Sequence, residues 1–558
     1  MLARLRAWAC VLVLVGSVIT LAALTLWGPD AAKRASLSAE VRFPQWARWD
    51  PSTAARDREA DTGGAGHMVD GRTVPLSSVR CLGRGADGAA NAGAPGRACE
   101  LLDVCMDAED GPVLYFVHPD EREAELHTLA ERGGPALGPP AVLSLASASE
   151  TFERSEVRIQ AVSQGLVHGA PPGAPSSSHG AAQIPGERAT DAVWVGDTVA
   201  LISPVARDAN VGHLLLEDGF AAYALHSVFH RRGARGRPWN ATRLALRRGC
   251  GAFHAGDEAA ARRCMVFFDA VSKALPPGLP PTSLAALAGG ARDLDGRLER
   301  RLCFKRLVVG TAPFGLVHRP ADASQAALLS GYRCAVLRGH GLPCDAVAPG
   351  SRARRGDGPD TNDPAVRIVV TRKQGGVHGP KRGLCNTDEA AEWIQQALGG
   401  GAAGPEALAL GAGSRAPRVE VRVVDWAETG TFAEQLALLS STSVVVSPCG
   451  GVSIPLVFLP EGAQLIVTDF WQPDDEARAL DALTGSSQHM EGHVWALLSH
   501  MTVRYYQITD PMADVELAAG TRPTKEALRN AACVRLERGR LLRLVRDAVR
   551  AVVRVGAP

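Results

Sequence analysis

Short apolar runs of strand length alternate along the chain with stretches of helical period. The runs lie at residues 113–117, 198–202, 307–309, 366–371, 419–424, 443–446 and 464–468. Helical stretches follow at residues 389–398 and 432–439. Continuous apolar runs separated by helices are typical of buried parallel strands. The pattern therefore predicts an α/β fold, with a doubly wound nucleotide-binding layout in residues 361–475.

The first apolar run is longer than the others, since residues 7–27 contain no charged side chain. As a helix this run would span about 31 Å, the thickness of a bilayer's hydrocarbon core. The six residues before it include Arg4 and Arg6, which favours a cytoplasmic tail at residues 1–6. A cleaved signal peptide is the alternative, but its apolar region is normally only about 7–15 residues. The run therefore predicts one N-terminal transmembrane helix that acts as an uncleaved signal anchor.

Segments rich in Gly, Pro and Ser divide the rest of the chain. We predict a stem or linker at residues 28–75 and an N-terminal lobe with disordered insertions at residues 76–345. A second, Rossmann-like lobe follows at residues 363–475, and a C-terminal helical segment at residues 476–558.

Net charge excludes one class of function. The 60 basic and 59 acidic side chains of the 558 residues give a formal charge of +1. A dedicated nucleic-acid-binding protein normally carries a basic surplus. We therefore expect no nucleic-acid partner.

Cysteine usage and one sequon fit a secretory-pathway location. One of the twelve cysteines, Cys10, lies in the apolar run. The other eleven are an odd number, so at least one of them stays a thiol if the rest pair in disulfides. The chain contains no C-x-x-C or H-E-x-x-H motif, so we expect no metal site. Asn240 is the glycosylation acceptor of the sequon Asn-Ala-Thr.

A glycine-rich turn is the first candidate for chemistry. Cys449, Gly450, Gly451 and Ser453 follow the strand predicted at 443–446. Adjacent glycines at a strand end allow backbone amides to approach an anion closely. An ordinary tight turn between strand and helix is the alternative.

A basic segment is the second candidate. Arg372 and Lys373 come directly after the strand predicted at 366–371, and Arg382 and Asn386 follow after a short loop. Arginine and lysine side chains are suited to phosphate oxygens, so this segment could hold a diphosphate facing the glycine-rich turn. A solvated basic loop is the alternative.

The third candidate combines a histidine with two carboxylates. His213 and Glu217 are four residues apart on a predicted helix, with Asp218 next to Glu217. Residues at this spacing share a helix face, where they could remove a proton from a hydroxyl. Alternatively, Asn210 caps the helix and the two carboxylates are solvated.

In their order and spacing these segments resemble glycosyltransferase family 61, which includes plant xylosyl- and arabinosyltransferases and animal protein O-linked N-acetylglucosamine transferases. The resemblance covers most of residues 98–475. It rests on Ala98–Cys105, Asn210–Asp218 (N-x-x-H), Cys303–Gly310 (C-F-x-x-x-x-x-G), Thr371–Lys373 with Arg382 and Asn386 (R-K…R-x-x-x-N), the helix at 432–439, Ser443–Ser453 (H-G-A-G) and Phe458–Gly462 (F-x-P-x-G).

The resemblance implies a GT-B-like arrangement, in which two Rossmann-like lobes enclose a cleft. It implies inverting transfer of a sugar from a nucleotide-sugar co-substrate to a glycan or glycoprotein hydroxyl, without a metal or a further cofactor. The lobe at 76–345 would face the acceptor, and His213, Glu217 or Asp218 would be catalytic. The implied donor-binding residues are Arg372, Lys373, Arg382, Asn386, Cys449, Gly450, Gly451 and Ser453. Such an enzyme would be a single-pass type II protein of the Golgi or ER membrane, with its catalytic domain in the lumen.

Two departures from the family pattern keep an alternative open. Cys449 stands where the family has the histidine of H-G-A-G, and Val452 occupies its second glycine position. A neutral thiol cannot replace the charge of an imidazolium near a diphosphate. The alternative is therefore a non-catalytic, glycosyltransferase-like lectin or pseudoenzyme. A lumenal sulfotransferase would need a P-loop-like segment in an early βα turn, which the sequence lacks.

Overall fold

The computed structural model describes parts of residues 67–555. The described residues are 67–69, 72–74, 77–82, 98–108, 113–117, 142–144, 156–163, 193–202, 212–231, 242–247, 250, 256–275, 278–289, 297–311, 323–351, 365–373, 383–399, 417–426, 428–468, 494–506, 508, 511–517, 520–522, 524, 527 and 532–555. Among these residues no helix is long and apolar enough to cross a bilayer. The predicted anchor at residues 7–27 lies outside them.

Strands and helices alternate through most of the described chain. The strands are β1 (His67–Val69), β2 (Arg72–Val74), β3 (Ser78–Leu82), β4 (Ala98–Ala108), β5 (Val113–Val117), β6 (Val142–Ser144), β7 (Glu156–Ser163), β8 (Val193–Ile202), β9 (Thr242–Leu246), β10 (Gly278–Ser283), β11 (Arg297–Val309), β12 (Val366–Arg372), β13 (Gly383–Leu384), β14 (Val419–Asp425), β15 (Val444–Pro448), β16 (Gln464–Thr468), β17 (Thr502–Tyr506), β18 (Val515–Leu517) and β19 (Ala532–Val534). The α-helices are α1 (Phe220–Arg231), α2 (Glu258–Ser272), α3 (Leu284–Leu287), α4 (Ala323–Gly339), α5 (Thr387–Ile394), α6 (Phe432–Ser440), α7 (Pro511–Asp514) and α8 (Arg538–Val555). Two π-helical turns, His213–Gly219 and Gln395–Gly399, and the 3₁₀ helix Ile454–Phe458 complete the set.

The second sheet has five parallel strands in the order β14-β12-β15-β16-β17. Numbered along the chain, this is the order 2-1-3-4-5 of a doubly wound sheet. The predicted alternation of strand and helix in residues 361–475 is confirmed. The sheet continues past residue 475, however, because β17 forms its fifth strand. The segment predicted as helical at 476–558 therefore contains β17, β18 and β19 as well as α8.

The first sheet is mixed, with nine strands. Its parallel part has the order β10-β9-β8-β11, which is 3-2-1-4 along the chain, and β4 then pairs antiparallel with β11. The predicted α/β class is confirmed, and the parallel sheets are compatible with Rossmann-like folding.

One hydrophobic core joins the helices of the first sheet to the second sheet. Phe432 of α6 lies edge-on to Phe267 of α2, with ring centroids 5.4 Å apart. Phe458 of the 3₁₀ helix lies 6.2 Å from Tyr332 of α4 and 6.1 Å from Phe432. These large rings belong to one core, so the contact between the helices of the first sheet and the second sheet is part of that core.

A buried polar contact also links α4 to the segment after the 3₁₀ helix. Arg333 of α4 is 4% exposed and donates from Nε (3.2 Å) and Nη2 (2.7 Å) to the carbonyl of Leu459. Its Nη1 donates to the carbonyl of Cys344 at 2.8 Å. Burial lowers the pKa of Arg333 to about 10, and the nearby Glu461 opposes this effect. Burial, with the charge of Arg333 second, lowers the pKa of His500 to about 3, so this imidazole is neutral at pH 7.

We expect Arg333→Met to destabilise the protein by at least about 2 kcal/mol, because it removes a charged donor from two carbonyls. Denaturant unfolding of the full-length chain would measure the loss. Arg338→Met, at an exposed position of the same helix, is the matched control and should leave the unfolding midpoint unchanged. Equal midpoints for the two variants would contradict this role of Arg333.

Disulfides join both near and distant parts of the described chain. They join Cys105 to Cys303, Cys250 to Cys264, Cys334 to Cys344 and Cys385 to Cys533, and Cys99 is also disulfide-bonded. Cys449 is a buried thiol. The expectation of at least one thiol is therefore confirmed.

Candidate functional site

The basic segment and the glycine-rich turn meet at one edge of the second sheet. Arg372 ends β12, and Cys449 follows the last residue of β15. These strands are parallel neighbours, with Val370 opposite Val446. They are also the strands between which the order 2-1-3-4-5 changes direction. In such sheets ligands bind outside the carboxyl ends of the strands at this switch point.

Hydrogen bonds and a positive φ define the main chain of the glycine-rich turn. Gly450 has φ +108°, a region that favours glycine. Its carbonyl accepts hydrogen bonds from the amide and the hydroxyl of Ser453, each at 2.8 Å. The amide of Cys449 donates to the carbonyl of Thr468 on β16 at 3.2 Å. Ser453 is thus placed to shape the turn, and its contact with a donor stays a prediction.

Arg372 is positioned by a neighbour that the sequence analysis did not single out. Its guanidinium forms an ion pair with Asp388 in the first turn of α5. The Arg372 side chain remains 42% exposed, so a ligand at the strand end can reach it. Asp425 ends β14 directly opposite Arg372 in the register. The only sequence signal for these two carboxylates is their position at the end of a strand or the start of a helix.

Asn386 is engaged elsewhere. Its Nδ2 donates to the carbonyl of Leu536 at 3.0 Å, and its Oδ1 accepts from the amide of Leu536 at 2.9 Å. The adjacent Cys385–Cys533 disulfide ties the same segment to β19. These contacts give Asn386 a structural role, and its predicted role in donor binding stays a prediction. Lys381 and Arg382 lie outside the described residues, as does Asn240.

The two carboxylates of the third candidate, Glu217 and Asp218, are buried rather than solvated. Glu217 and Asp218 are 2% and 3% exposed. They belong to the π-helical turn His213–Gly219, which precedes α1 where a regular helix was predicted. π-Helical turns are rare and occur frequently at functional sites. The side chain of His213 is outside the described part of the structure.

Tyr332 lies beside this turn. Burial, with the Asp218 carboxylate as a second cause, raises the pKa of Tyr332 well above its usual range. The hydroxyl therefore keeps its proton and donates to the carbonyl of Leu215 at 3.0 Å. A Cβ on Gly219 would lie only 2.7 Å from this hydroxyl, so glycine permits the close approach.

The π-helical turn lies beside the helix that follows the glycine-rich turn. The π-helical turn contacts the 3₁₀ helix Ile454–Phe458, which begins one residue after Ser453. Segments separated by more than 200 residues of sequence are therefore neighbours in the fold. That the carboxylates of this turn act together with the glycine-rich turn stays a prediction.

Cys449 is buried at the start of the glycine-rich turn. It is 4% exposed, whereas Gly451 next to it is partly exposed.

One described group has the spacing of metal ligands. Atoms of Cys385, Glu516 and Cys533 lie within 4.8 Å of one another. The two cysteines form a disulfide, so their sulfurs are not thiolate ligands. The group therefore does not fit a metal in this state.

In comparisons with known proteins, the chain matches no family model, and no curated protein matches it significantly.

Proposed function

We propose that the chain is a membrane-anchored, lumenal glycosyltransferase. It moves a sugar from a nucleotide-sugar donor to a hydroxyl of a glycan or glycoprotein, with inversion and without a metal. One observation carries the proposal: Arg372 and the Gly450 turn end neighbouring parallel strands at the switch point of the second sheet. The two sheets would be the lobes of a GT-B-like arrangement.

The donor side stabilises the leaving group. Arg372, Lys373 and Arg382, together with the main-chain amides of Gly450 and Gly451, bind the diphosphate. Charge that develops on the diphosphate as the glycosidic bond breaks is stabilised by donors already in position. Asp388 holds the Arg372 guanidinium at the strand end before the donor arrives.

The acceptor side supplies the base. His213, Glu217 or Asp218 takes the proton of the acceptor hydroxyl as its oxygen bonds to the anomeric carbon. The bond from that carbon to the diphosphate oxygen breaks in the same step, and its electron pair leaves with the nucleotide. A single in-line displacement of this kind inverts the anomeric centre and needs no covalent intermediate.

The disulfides support the lumenal location. Disulfides persist in oxidising compartments and are rare in the cytosol. The pairs Cys105–Cys303 and Cys385–Cys533 join residues 198 and 148 positions apart. With the anchor predicted at residues 7–27, they fit a type II protein of the Golgi or ER whose bulk is in the lumen.

The buried thiol of Cys449 favours a second candidate, a glycosyltransferase-like lectin or pseudoenzyme. Without an imidazolium at this position the turn carries one positive charge fewer toward a diphosphate. Such a protein would keep the fold and bind sugars without turnover.

A panel of nucleotide sugars separates the two functions. We expect the purified full-length protein to bind at least one nucleotide sugar and to release the nucleoside diphosphate when hydroxyl acceptors are added. Saturable binding without any release would favour the lectin. Absence of both binding and release across the panel would contradict the glycosyltransferase.

A further inference from the structure

An irregular patch lies on the first sheet, away from the candidate site. We call it the Trp194 platform and define it by Trp194 and Gly196 of β8, Lys305 of β11 and Asp103 of β4. Trp194 is 44% exposed, and among the described residues the other exposed large apolar side chains are Met265 and Val266. The Nζ of Lys305 lies 4.4 Å from the centroid of the Trp194 ring and 2.7 Å from Oδ1 of Asp103.

Two backbone irregularities coincide in the platform. Val195 is opposite Phe304 and Thr198 is opposite Arg306, so two residues of β8 face Lys305 alone and form a β-bulge. Asp103 has φ +53°, and among the described residues it is the one non-glycine with positive φ. Bulges and left-handed residues cost free energy and cluster at functional sites.

The platform is open to solvent at Gly196, and two of its strands are cross-linked. A Cβ added at Gly196 would meet nothing within 4 Å, so open space lies over the strand beside Trp194. The Cys105–Cys303 disulfide joins β4 to β11 two residues from Asp103 and from Lys305. The strands that carry the charged pair are therefore covalently held in register.

We propose that the Trp194 platform binds an oligosaccharide, as a second glycan contact remote from the transfer site. An indole ring can stack against the apolar C–H face of a pyranose, here with the ring face that the Lys305 ammonium does not cover. Asp103 and Lys305, which pair with each other, would then also hydrogen-bond with the hydroxyls at the rim of the sugar. Protein interfaces differ, because their central aromatic residues are surrounded by apolar rather than charged side chains.

The inference rests on the proposed function for its occupant, which is an extended part of the glycan acceptor. Ile202, the end of β8 nearest the π-helical turn in sequence, lies eight positions after Trp194 along the strand. At about 3.3 Å per residue this is roughly 26 Å. A single sugar cannot span this distance. The platform therefore selects long acceptors or holds a branch away from the reacting hydroxyl.

The test uses full-length protein and an array of immobilised neutral oligosaccharides, including xylan, arabinan and N-glycan fragments. We expect binding to at least one array member, with affinity at least about tenfold lower in Trp194→Ala. Trp194→Tyr should keep affinity within about threefold, because it retains an aromatic face. Asp103→Asn tolerates the positive φ and should weaken binding at least about threefold by removing the charge.

Met265→Ala is the matched control, since Met265 is 41% exposed on α2 outside the platform. Its affinity for the array should be unchanged. No array binding by the unaltered protein, or equal binding by Trp194→Ala, overturns the proposal. Nucleotide-sugar binding by the same variants separates this result from the proposed function: platform-dependent array binding without any nucleotide-sugar binding supports the platform and contradicts the transferase.

Discussion

Replacing Arg372 by alanine is expected to weaken nucleotide-sugar binding at least about tenfold without unfolding the protein. A diphosphate brings about two negative charges into a partly desolvated cleft, where unpaired charge is costly. Removing a charged hydrogen-bonding partner typically costs about 2–5 kcal/mol. Arg372 is 42% exposed and already paired with Asp388, so the lower part of that range applies. Calorimetric titration with the nucleotide sugar would measure the change.

Arg367 provides a matched control for this prediction. It lies on the same strand, β12, near its amino end, and forms an exposed ion pair with Glu420 at 3.5 Å. Arg367→Ala also removes one positive charge from the sheet, but at the amino ends of the strands, whereas the switch point lies at their carboxyl ends. Donor affinity should be unchanged in this variant. Equal losses in both variants would show a general charge effect, and no loss in Arg372→Ala would show that the pocket is elsewhere.

Asp218→Asn and Glu217→Gln are expected to have the largest effect on turnover. Each change keeps the size of a buried side chain but removes its ability to take a proton. Loss of a general base typically lowers the rate by about 10²–10⁴-fold. The variant with the larger loss of kcat identifies the base, and nucleotide-sugar affinity should stay within about twofold, because these residues do not end the donor strands.

Glu258→Gln is the control for the carboxylate variants. Glu258 pairs with Arg262 on the exposed face of α2, and its side chain is 89% exposed. This variant should retain full turnover. Unchanged kcat in both Asp218→Asn and Glu217→Gln would leave His213 as the candidate base. A thermal midpoint that falls in parallel with activity would instead point to a structural role, since both carboxylates are buried.

The apolar runs predicted several strands well because buried parallel strands show their composition directly. The predicted runs at 113–117 and 464–468 coincide with β5 and β16. The prediction at 307–309 captured only the end of β11, which begins at Arg297. The first residues of β11 include charged side chains, and their strand conformation follows from pairing with β4 rather than from apolar composition. β17 was missed for a similar reason, since Arg504 interrupts its apolar pattern.

In the candidate site, too, some residues could be predicted from the sequence and others could not. Strand ends, adjacent glycines and adjacent basic residues were visible along the chain, so Arg372 and Gly450 could be named in advance. Asp388 could not, because its relation to Arg372 depends on how α5 packs beside β12. Asn386 shows the converse, since its amide is committed to Leu536, 150 residues away.

The sequence by itself determined the α/β class, the positions of the parallel strands around residues 361–475 and the residue types that can bind an anion. These follow from local composition, because a strand covered on both faces must be apolar and a close backbone approach needs glycine. Only the tertiary structure decided that β12 and β15 are neighbours and that β17 completes the sheet. It also decided that Glu217 and Asp218 are buried, in a turn that contacts the 3₁₀ helix. Strand order and contacts between distant segments depend on which surfaces bury each other in the shared core, and the linear pattern carries no record of that choice.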